Sequence, residues 1–376
     1  MTHRWTPGLL GLAILLGVAG TAQAADTIKI GVAGPMTGAV AKFGEQLARG
    51  AKAAVDAINA AGGINGALVE IVTGDDACDP KQAQSVANSL VNAKVVAVIG
   101  HFCSSSTIPA STVYAENNLL DITPASTNPQ VTDRGLPTIF RTCGRDDQQG
   151  TVAANYIMAK LKPKRIAVIH DKTTYGHGLA DATRARLNGH FNVKEVLYEG
   201  INQGDKDFNS LVTKMKGLKV DVIFFGGYHT EAALIVRQAY DQGLKAKFVS
   251  GDALVTEEFA QVVGKPEAAV GTLMTFGADA TQYPEARAIV ENFKKEGYNP
   301  EGYTLYTYAA VQIVAAALKA NGNTNDGKKL ADWIRSHPVT TVMGKKEYDA
   351  KGDLKVSDYV MYGWVKVGDK VTYKQL

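Results

Sequence analysis

The chain has 376 residues, of which 45% are hydrophobic and 20% are charged, and its formal net charge at pH 7 is +3. This length is ample for two domains with cores of their own. Lysine and arginine are scattered rather than gathered into a basic block, so nucleic acid is not expected as a partner.

The first 24 residues have the pattern of an export signal. Arg4 supplies the positive start, residues 8–20 form an apolar run, and Ala-Gln-Ala at 22–24 is a small-x-small cleavage sequence. The apolar run is shorter than the roughly 20 residues of a membrane-spanning helix. The residue directly after the cleavage point is Ala25 and not cysteine, which argues against lipid attachment. We therefore expect a signal peptide at 1–24 and an exported, soluble protein of the cell envelope or medium.

From residue 28 onward, short apolar runs alternate with amphipathic helical stretches. Asp79 and Pro80 mark a helix start, because aspartate caps helices and proline fits their first turn. The pattern predicts strands at 28–33, 68–73, 95–99 and 119–122, with helices at about 45–61, from 79 onward, and up to Tyr114. Such alternation is typical of a parallel sheet wrapped by helices.

The alternation restarts after a polar joint at 142–147. Strands are predicted at 165–170, 193–198, 220–225 and 247–250, with helices near Tyr175, Phe208 and Thr230. The sequence therefore predicts an α/β protein of two similar lobes. We expect the segment from about Phe276 to Ala350 to return to the first lobe.

Two cysteines follow strands of the first lobe. Cys78 comes after 68–73 and Cys103 after 95–99, and neighbouring parallel strands would bring them together. Export favours oxidation, so we predict a Cys78–Cys103 disulfide. The alternatives are two free thiols, or a metal held by Cys78 with the aspartates at 75, 76 and 79. No paired metal-binding spacing supports the latter, so no metal is expected.

The third cysteine, Cys143, has no partner left. A packed thiol is the simplest interpretation. An exposed thiol that joins two copies of the chain is the alternative.

The run GHFCSSST at 100–107 is rich in hydroxyl groups. It lies between the strand at 95–99 and a predicted helix. Serine and threonine are favoured at helix N-termini whatever the function. Hydroxyls and unpaired N–H groups at a helix start can also hold an anion such as a carboxylate.

Other polar residues follow the remaining predicted strands. In open parallel sheets, ligands bind outside the carboxyl ends of the strands. Hydroxyls and a helix start suit a carboxylate, and a lone acid with backbone carbonyls suits an ammonium, so the set predicts a receptor for a zwitterion. An alternative for Asp252 is a turn residue beside Gly251. The predicted set is Ser104, Ser105 and Ser106, residues 125–127, Tyr175, Tyr228 and Asp252.

Motifs of common α/β enzymes are missing from the sequence. It has no phosphate-binding G-x-x-x-x-G-K-[ST] loop, no G-x-G-x-x-G after the first strand and no G-x-S-x-G elbow. Histidines lie near strand ends without a recognisable nucleophile or metal partner, so we interpret them as structural or rim residues: His101, His170, His177 and His229. We expect neither an enzyme nor a cofactor.

Long, ordered motifs across nearly the whole mature chain resemble the periplasmic leucine/isoleucine/valine-binding proteins. They are DDACDP at 75–80, GHFCSSST at 100–107, ITPA at 122–125, HDK at 170–172 with Tyr175-Gly176, DKDF at 205–208, GGYH at 226–229, TVMG at 341–344 and KGDL at 351–354. The resemblance implies a periplasmic clamp of two lobes. It would close on an amino acid and present it to an ATP-driven importer of the inner membrane.

By this resemblance, Ser104 and Thr127 bind the ligand carboxylate with help from Tyr175. Ala125 offers its carbonyl to the ammonium, while Tyr228 and Asp252 close the site from the second lobe. The family disulfide coincides with Cys78 and Cys103. Strands near Cys143, Phe276 and Lys355 would form the hinge. The expected lobes are 25–143 plus 276–354, and 144–275 plus 355–376.

Three departures from the family pattern bear on specificity. Asp252 stands where glutamate is more common, Phe102 stands where leucine is common, and Tyr303 adds a second bulky wall near Phe43. Extra ring volume leaves less room for a branched side chain. We expect a monomer that binds alanine, threonine or gamma-aminobutyrate at least as well as leucine. The alternatives are a branched-chain receptor with a repacked pocket, a sensor for a membrane signalling protein, and an exported enzyme.

Overall fold

A computed structural model describes residues 1–3 and 27–376 of the chain. The predicted signal peptide at 1–24 therefore lies almost wholly outside the described residues. Within them, no helix is both long and apolar enough to cross a membrane.

The first sheet has five strands in the order β2-β1-β3-β4-β5, and all neighbours are parallel. We call this sheet and the helices packed on it the first lobe. The strands are β1 (Thr27–Gly34), β2 (Leu68–Asp75), β3 (Ala97–Ile99), β4 (Leu120–Thr123) and β5 (Ile139–Arg141); the helices between them are α1 (Ala41–Ala60), α2 (Pro80–Asn92), α3 (Ser104–Glu116) and α4 (Gln130–Asp133).

The second sheet has seven strands in the order β14-β13-β10-β9-β8-β6-β7. It forms the second lobe. Its parallel strands are β6 (Ile166–His170), β7 (Leu197–Gly200), β8 (Val222–Gly226), β9 (Lys247–Ser250) and β10 (Leu273–Gly277); the helices are α5 (Asp146–Tyr156), α6 (Thr174–Phe191), α7 (Asn209–Gly217), α8 (His229–Asp241), α9 (Glu258–Val263) and α10 (Pro266–Ala269). A π-helical turn at Ile157–Leu161 extends α5.

The last hundred residues contribute to both lobes. Helix α12 packs on α1 and contacts β3, and α13 contacts β4. The chain then returns to the second sheet, where β13 pairs antiparallel with β10 and β14. The elements are α11 (Arg287–Lys295), α12 (Thr304–Ala320), α13 (Gly327–Ser336), the two-stranded ribbon β11 (Val339–Thr341) and β12 (Gly344–Lys346), β13 (Tyr359–Val367) and β14 (Lys370–Gln375).

Local signals placed most elements correctly. Asp79 caps α2, and its Oδ1 accepts hydrogen bonds from Lys81 N at 2.9 Å and Gln82 N at 2.8 Å. The strand predicted at 193–198 begins later, at Leu197. The reason is that Val193 N still donates to Leu187 O and so completes the end of α6. The sequence predicts neither the β11–β12 ribbon nor β14, and it indicates β5, β10 and β13 only as hinge strands near Cys143, Phe276 and Lys355.

The Cys78–Cys103 disulfide is present, with a Cα–Cα distance of 5.6 Å. The expectation that the two preceding strands are neighbours is wrong, because β1 lies between β2 and β3. The loops beyond the strand ends make the approach instead, and Asp76 Oδ1 holds Cys78 N at 2.7 Å. Cys143 is buried, as expected of a packed thiol, and burial raises its pKa.

Candidate functional site

Helix α3 presents its first turn at the carboxyl end of β3. Its N-cap is Cys103 and its first residue is Ser104, which is 1% exposed. The first N–H groups of a helix have no acceptor within the helix, and the helix dipole favours a negative charge there. Ser104 Oγ accepts a hydrogen bond from Asn128 N at 3.3 Å. The start of α3 therefore offers donors suited to an anion.

The loop after β4 is tied to the loop before α3. Thr123 Oγ1 donates to His101 O at 2.7 Å and accepts from Ser126 N at 2.9 Å. Ser126 Oγ donates to Phe102 O at 2.8 Å. These bonds hold Ala125 on the same side of the sheet as Ser104, and both residues line one cavity.

Three residues of the second lobe reach the same cavity. Tyr175 lies in the first turn of α6, Tyr228 precedes α8, and Asp252 begins a short 3-10 helix after β9. With residues of the first lobe they form one narrow cavity, and its lining consists of Phe102, Ser104, Ala125, Tyr175, Tyr228, Asp252, Ala253 and Tyr303. The loops at the strand ends of both sheets thus meet at one small cavity, and half of its lining residues are aromatic.

Asp252 is the carboxylate of this cavity and is 2% exposed. Its Oδ1 accepts from Tyr175 Oη at 2.7 Å and from Gln149 Nε2 at 3.2 Å, and its Oδ2 accepts from the Tyr303 hydroxyl. Burial raises the pKa of Asp252, and these three hydrogen bonds act in the opposite direction. All three partners are far away in the sequence, so the side chain of Asp252 does more than cap a turn beside Gly251.

Aromatic rings form the walls. Phe102 stacks on Phe43 with ring centroids 4.4 Å apart, and it meets Tyr303 edge-on at 5.4 Å. On the opposite side, the rings of Tyr175 and Tyr228 lie 5.2 Å apart. Such packed rings are stiff, so the volume available to a ligand side chain depends on Phe102 and Tyr303.

Five of the predicted residues do not line the cavity: Phe43, Ser105, Ser106, Ser126 and Thr127. Phe43 packs behind Phe102 and meets Tyr303 edge-on, with ring centroids 6.3 Å apart, so it contributes through these two wall residues. Thr127 is fully buried beyond Ala125, and its carbonyl accepts from Asp146 N at 2.9 Å. Sequence reasoning missed Ala253 in the cavity wall and Gln149 behind Asp252. The i, i+3 spacing of Asp146 and Gln149 at the start of a helix was the only available signal.

Two of the histidines near strand ends make structural contacts. His101 is fully buried between Asp76 Oδ2 at 2.5 Å and Tyr114 Oη at 2.8 Å. His229 Nε2 lies 2.9 Å from Glu258 Oε2. Among residues 27–376, no group of three or more histidine, cysteine or acidic side chains could hold a metal ion.

Comparisons with known proteins agree with this architecture. Residues 27–369 match the family described as periplasmic binding protein. A Pseudomonas aeruginosa protein named "Amino acid binding protein" is 58% identical over 98% of each chain. A second one, named "Leucine-, isoleucine-, valine-, threonine-, and alanine-binding protein", is 42% identical over 96% of each chain. The crystal structure of the branched-chain amino acid transporter substrate binding protein LivJ from Streptococcus pneumoniae in complex with isoleucine is similar, with a TM-score of 0.82, 29% identity, and coverage of 93% of this chain and 99% of that one.

Proposed function

The chain belongs to the periplasmic binding protein family, and from that premise we propose that it is the periplasmic, monomeric solute-binding component of an ABC importer for a neutral aliphatic amino acid. It is a binding protein rather than an enzyme. The observation that carries the proposal is the cavity where the start of α3 in one lobe faces the buried Asp252 of the other. Anion donors on one side and a carboxylate on the other suit a zwitterion.

Each residue has a proposed part in holding the ligand. Ser104, with Thr127 beyond it, binds the carboxylate through hydroxyl and backbone N–H groups. The Tyr175 hydroxyl, which donates to Asp252 without ligand, assists by turning to the carboxylate when the ammonium pairs with Asp252. Ala125 O and Asp252 receive the ammonium, with Tyr228 closing the site. A buried charge is costly unless it is paired, so the ammonium of the ligand compensates the buried carboxylate.

We propose that the preferred ligands are the smaller neutral amino acids. Phe102 and Tyr303 meet edge-on in the wall, and a rigid wall penalises extra methyl groups. The second Pseudomonas aeruginosa relative, whose name includes threonine and alanine, supports this preference.

A titration panel tests the function. Calorimetry of the mature protein with L-leucine, L-isoleucine, L-valine, L-threonine, L-alanine and gamma-aminobutyrate is expected to detect tight binding of at least one. Solution scattering should then show compaction with that ligand, because a clamp shifts to the state that binds better. A panel without binding contradicts the function. Tight leucine binding without a response to the small ligands contradicts only the size preference.

Replacing Phe102 by leucine is expected to shift selectivity toward branched side chains. The change enlarges the space beside the ligand, and a methylene in an apolar pocket typically changes discrimination by about tenfold. We expect the ratio of leucine affinity to alanine affinity to rise by about that factor in calorimetry.

The matched control is Phe140→Leu. Phe140 is also fully buried in the first lobe but packs on Tyr348, away from the cavity. This variant should lose stability and keep the wild-type ratio. An unchanged ratio in Phe102→Leu would remove Phe102 from the set of specificity residues.

A further inference from the structure

Gln149 holds Asp252 from behind the cavity. It lies in α5 and is fully buried. Its Oε1 accepts from Asp252 N at 2.9 Å and from Thr275 Oγ1 at 2.6 Å. Its Nε2 donates to Asp252 Oδ1 at 3.2 Å and to Asp146 Oδ1 at 3.0 Å. The amide therefore uses its two donors and two acceptor positions.

The orientation of this amide follows from its partners. A backbone N–H and a threonine hydroxyl both point at Oε1, so the NH₂ group must face the two carboxyls. Gly251 makes the close approach possible: a Cβ there would lie 2.6 Å from the Tyr175 hydroxyl and 3.1 Å from Gln149 Oε1. Helix α5, strand β10 and the segment after β9 are thus joined through one side chain.

We infer that Gln149 is the positioning residue of the ammonium site, which fixes the Asp252 carboxylate toward the cavity. The inference rests on the proposed function, because it assigns Asp252 to a ligand ammonium. Gln149 itself does not line the cavity. Its effect on binding passes through Asp252.

The inference implies a change in the pH dependence of binding. An ionised Asp252 attracts the ammonium, so affinity falls as the pH drops through the pKa of this carboxyl in the free protein. The hydrogen bond from Gln149 lowers that pKa, so its removal moves the loss of affinity to higher pH. The ionisable groups that surround Asp252 are Asp146 of α5, Tyr175 of α6, Tyr228 before α8, Tyr303 before α12, Tyr359 of β13 and Cys143.

The tyrosines and Cys143 among these neighbours do not mimic the expected shift. Burial raises the pKa of the four tyrosines and of Cys143, which keeps them neutral across the acid range. Burial also raises the pKa of Asp146, with the charge of Asp252 adding to the effect. Gln149→Met also removes the hydrogen bond to Asp146 Oδ1, which lowers the pKa of that carboxyl. Both carboxyls therefore shift in the same direction, and a difference between variants reports on the hydrogen bonds that Gln149 donates to this pair.

The test is calorimetry with L-leucine and L-alanine between pH 4.5 and 8 on the mature protein and on Gln149→Met. Methionine keeps the length of the side chain and removes its hydrogen bonds. A hydrogen bond to a charged group predicts about a tenfold loss of affinity at pH 7.5, together with a higher midpoint for the acid loss. Thr275→Val removes one of the donors that orient the amide. It should lower the affinity and raise the midpoint of the acid loss, each by less than Gln149→Met does. If Gln149→Met does not fold, Thr275→Val decides the question.

Gln238→Met is the matched control. Gln238 is another buried glutamine, whose amide bonds Phe208 N at 2.6 Å and Lys206 O at 2.8 Å in the second lobe. Gln238→Met should lose thermal stability, but its ligand affinity should depend on pH as that of the wild type does. Unchanged affinity in the test variants, or a loss that is equal at every pH, overturns the inference. A wild-type protein that binds no amino acid is a different result, since it refutes the proposed function.

Discussion

Asp252→Asn is expected to weaken amino acid binding by about 2–5 kcal/mol, which is at least about 30-fold in dissociation constant. The variant keeps the shape of the side chain and the acceptor for the Tyr175 hydroxyl, but it removes the charge opposite the ligand ammonium. A buried ammonium without a counter-charge carries its full desolvation cost. Calorimetry with the best ligand of the panel measures the loss.

Two observations separate this effect from general damage. Stability without ligand should change little, because the neutral amide of the variant lacks the charge that burial disfavours in the free protein. The control is Asp121→Asn, at a fully buried carboxyl of β4 whose oxygens make no hydrogen bond within the described residues. We expect its affinity to match the wild type. Equal affinities for Asp252→Asn and wild type would exclude Asp252 from the site.

The location of the candidate site follows from local sequence signals. Most of the parallel strands are recognisable as short apolar runs, and the residues after their carboxyl ends are then known without any knowledge of distant contacts. This rule selects five residues that line one cavity: Ser104, Ala125, Tyr175, Tyr228 and Asp252. It also selects neighbours that do not line it: Ser105, Ser106, Ser126 and Thr127. Their roles toward a ligand stay predictions.

Features that depend on the order of the strands in a sheet could not be predicted from the sequence. The insertion of β1 between β2 and β3 decides how Cys78 approaches Cys103, and no local pattern encodes it. The antiparallel pairing of β13 with β10 joins residues that lie more than eighty positions apart. Gln149 could not be identified from the sequence for the same reason. Its proposed role depends on contacts with Asp252 and Thr275, which lie more than a hundred residues away in the chain.

Arg141→Met is expected to lower the free energy of unfolding by about 3–5 kcal/mol. Arg141 is fully buried at the end of β5 and forms an ion pair from Nε to Asp353 Oδ1 at 2.7 Å. Its Nη1 donates to Ser126 O at 2.8 Å, and its Nη2 donates to Thr132 Oγ1 at 2.6 Å. Methionine fills much of the volume but removes the hydrogen bonds of a charged donor, while Asp353 keeps its ion pair with Arg145 Nη1 at 2.7 Å. Denaturant unfolding without ligand measures the change.

The ion pair between Lys328 Nζ and Asp332 Oδ2, at 2.6 Å, provides the control. Its two side chains are 63% and 57% exposed. Lys328→Met should cost less than about 1 kcal/mol. Arg141→Met should also weaken ligand binding, since Ser126 O belongs to the loop that carries Ala125 into the cavity. If both variants lose the same small amount, the buried ion pair does not stabilise the fold as its geometry implies. A large loss of stability with unchanged affinity would mean that the loop keeps its position through its bonds to His101 and Phe102 alone.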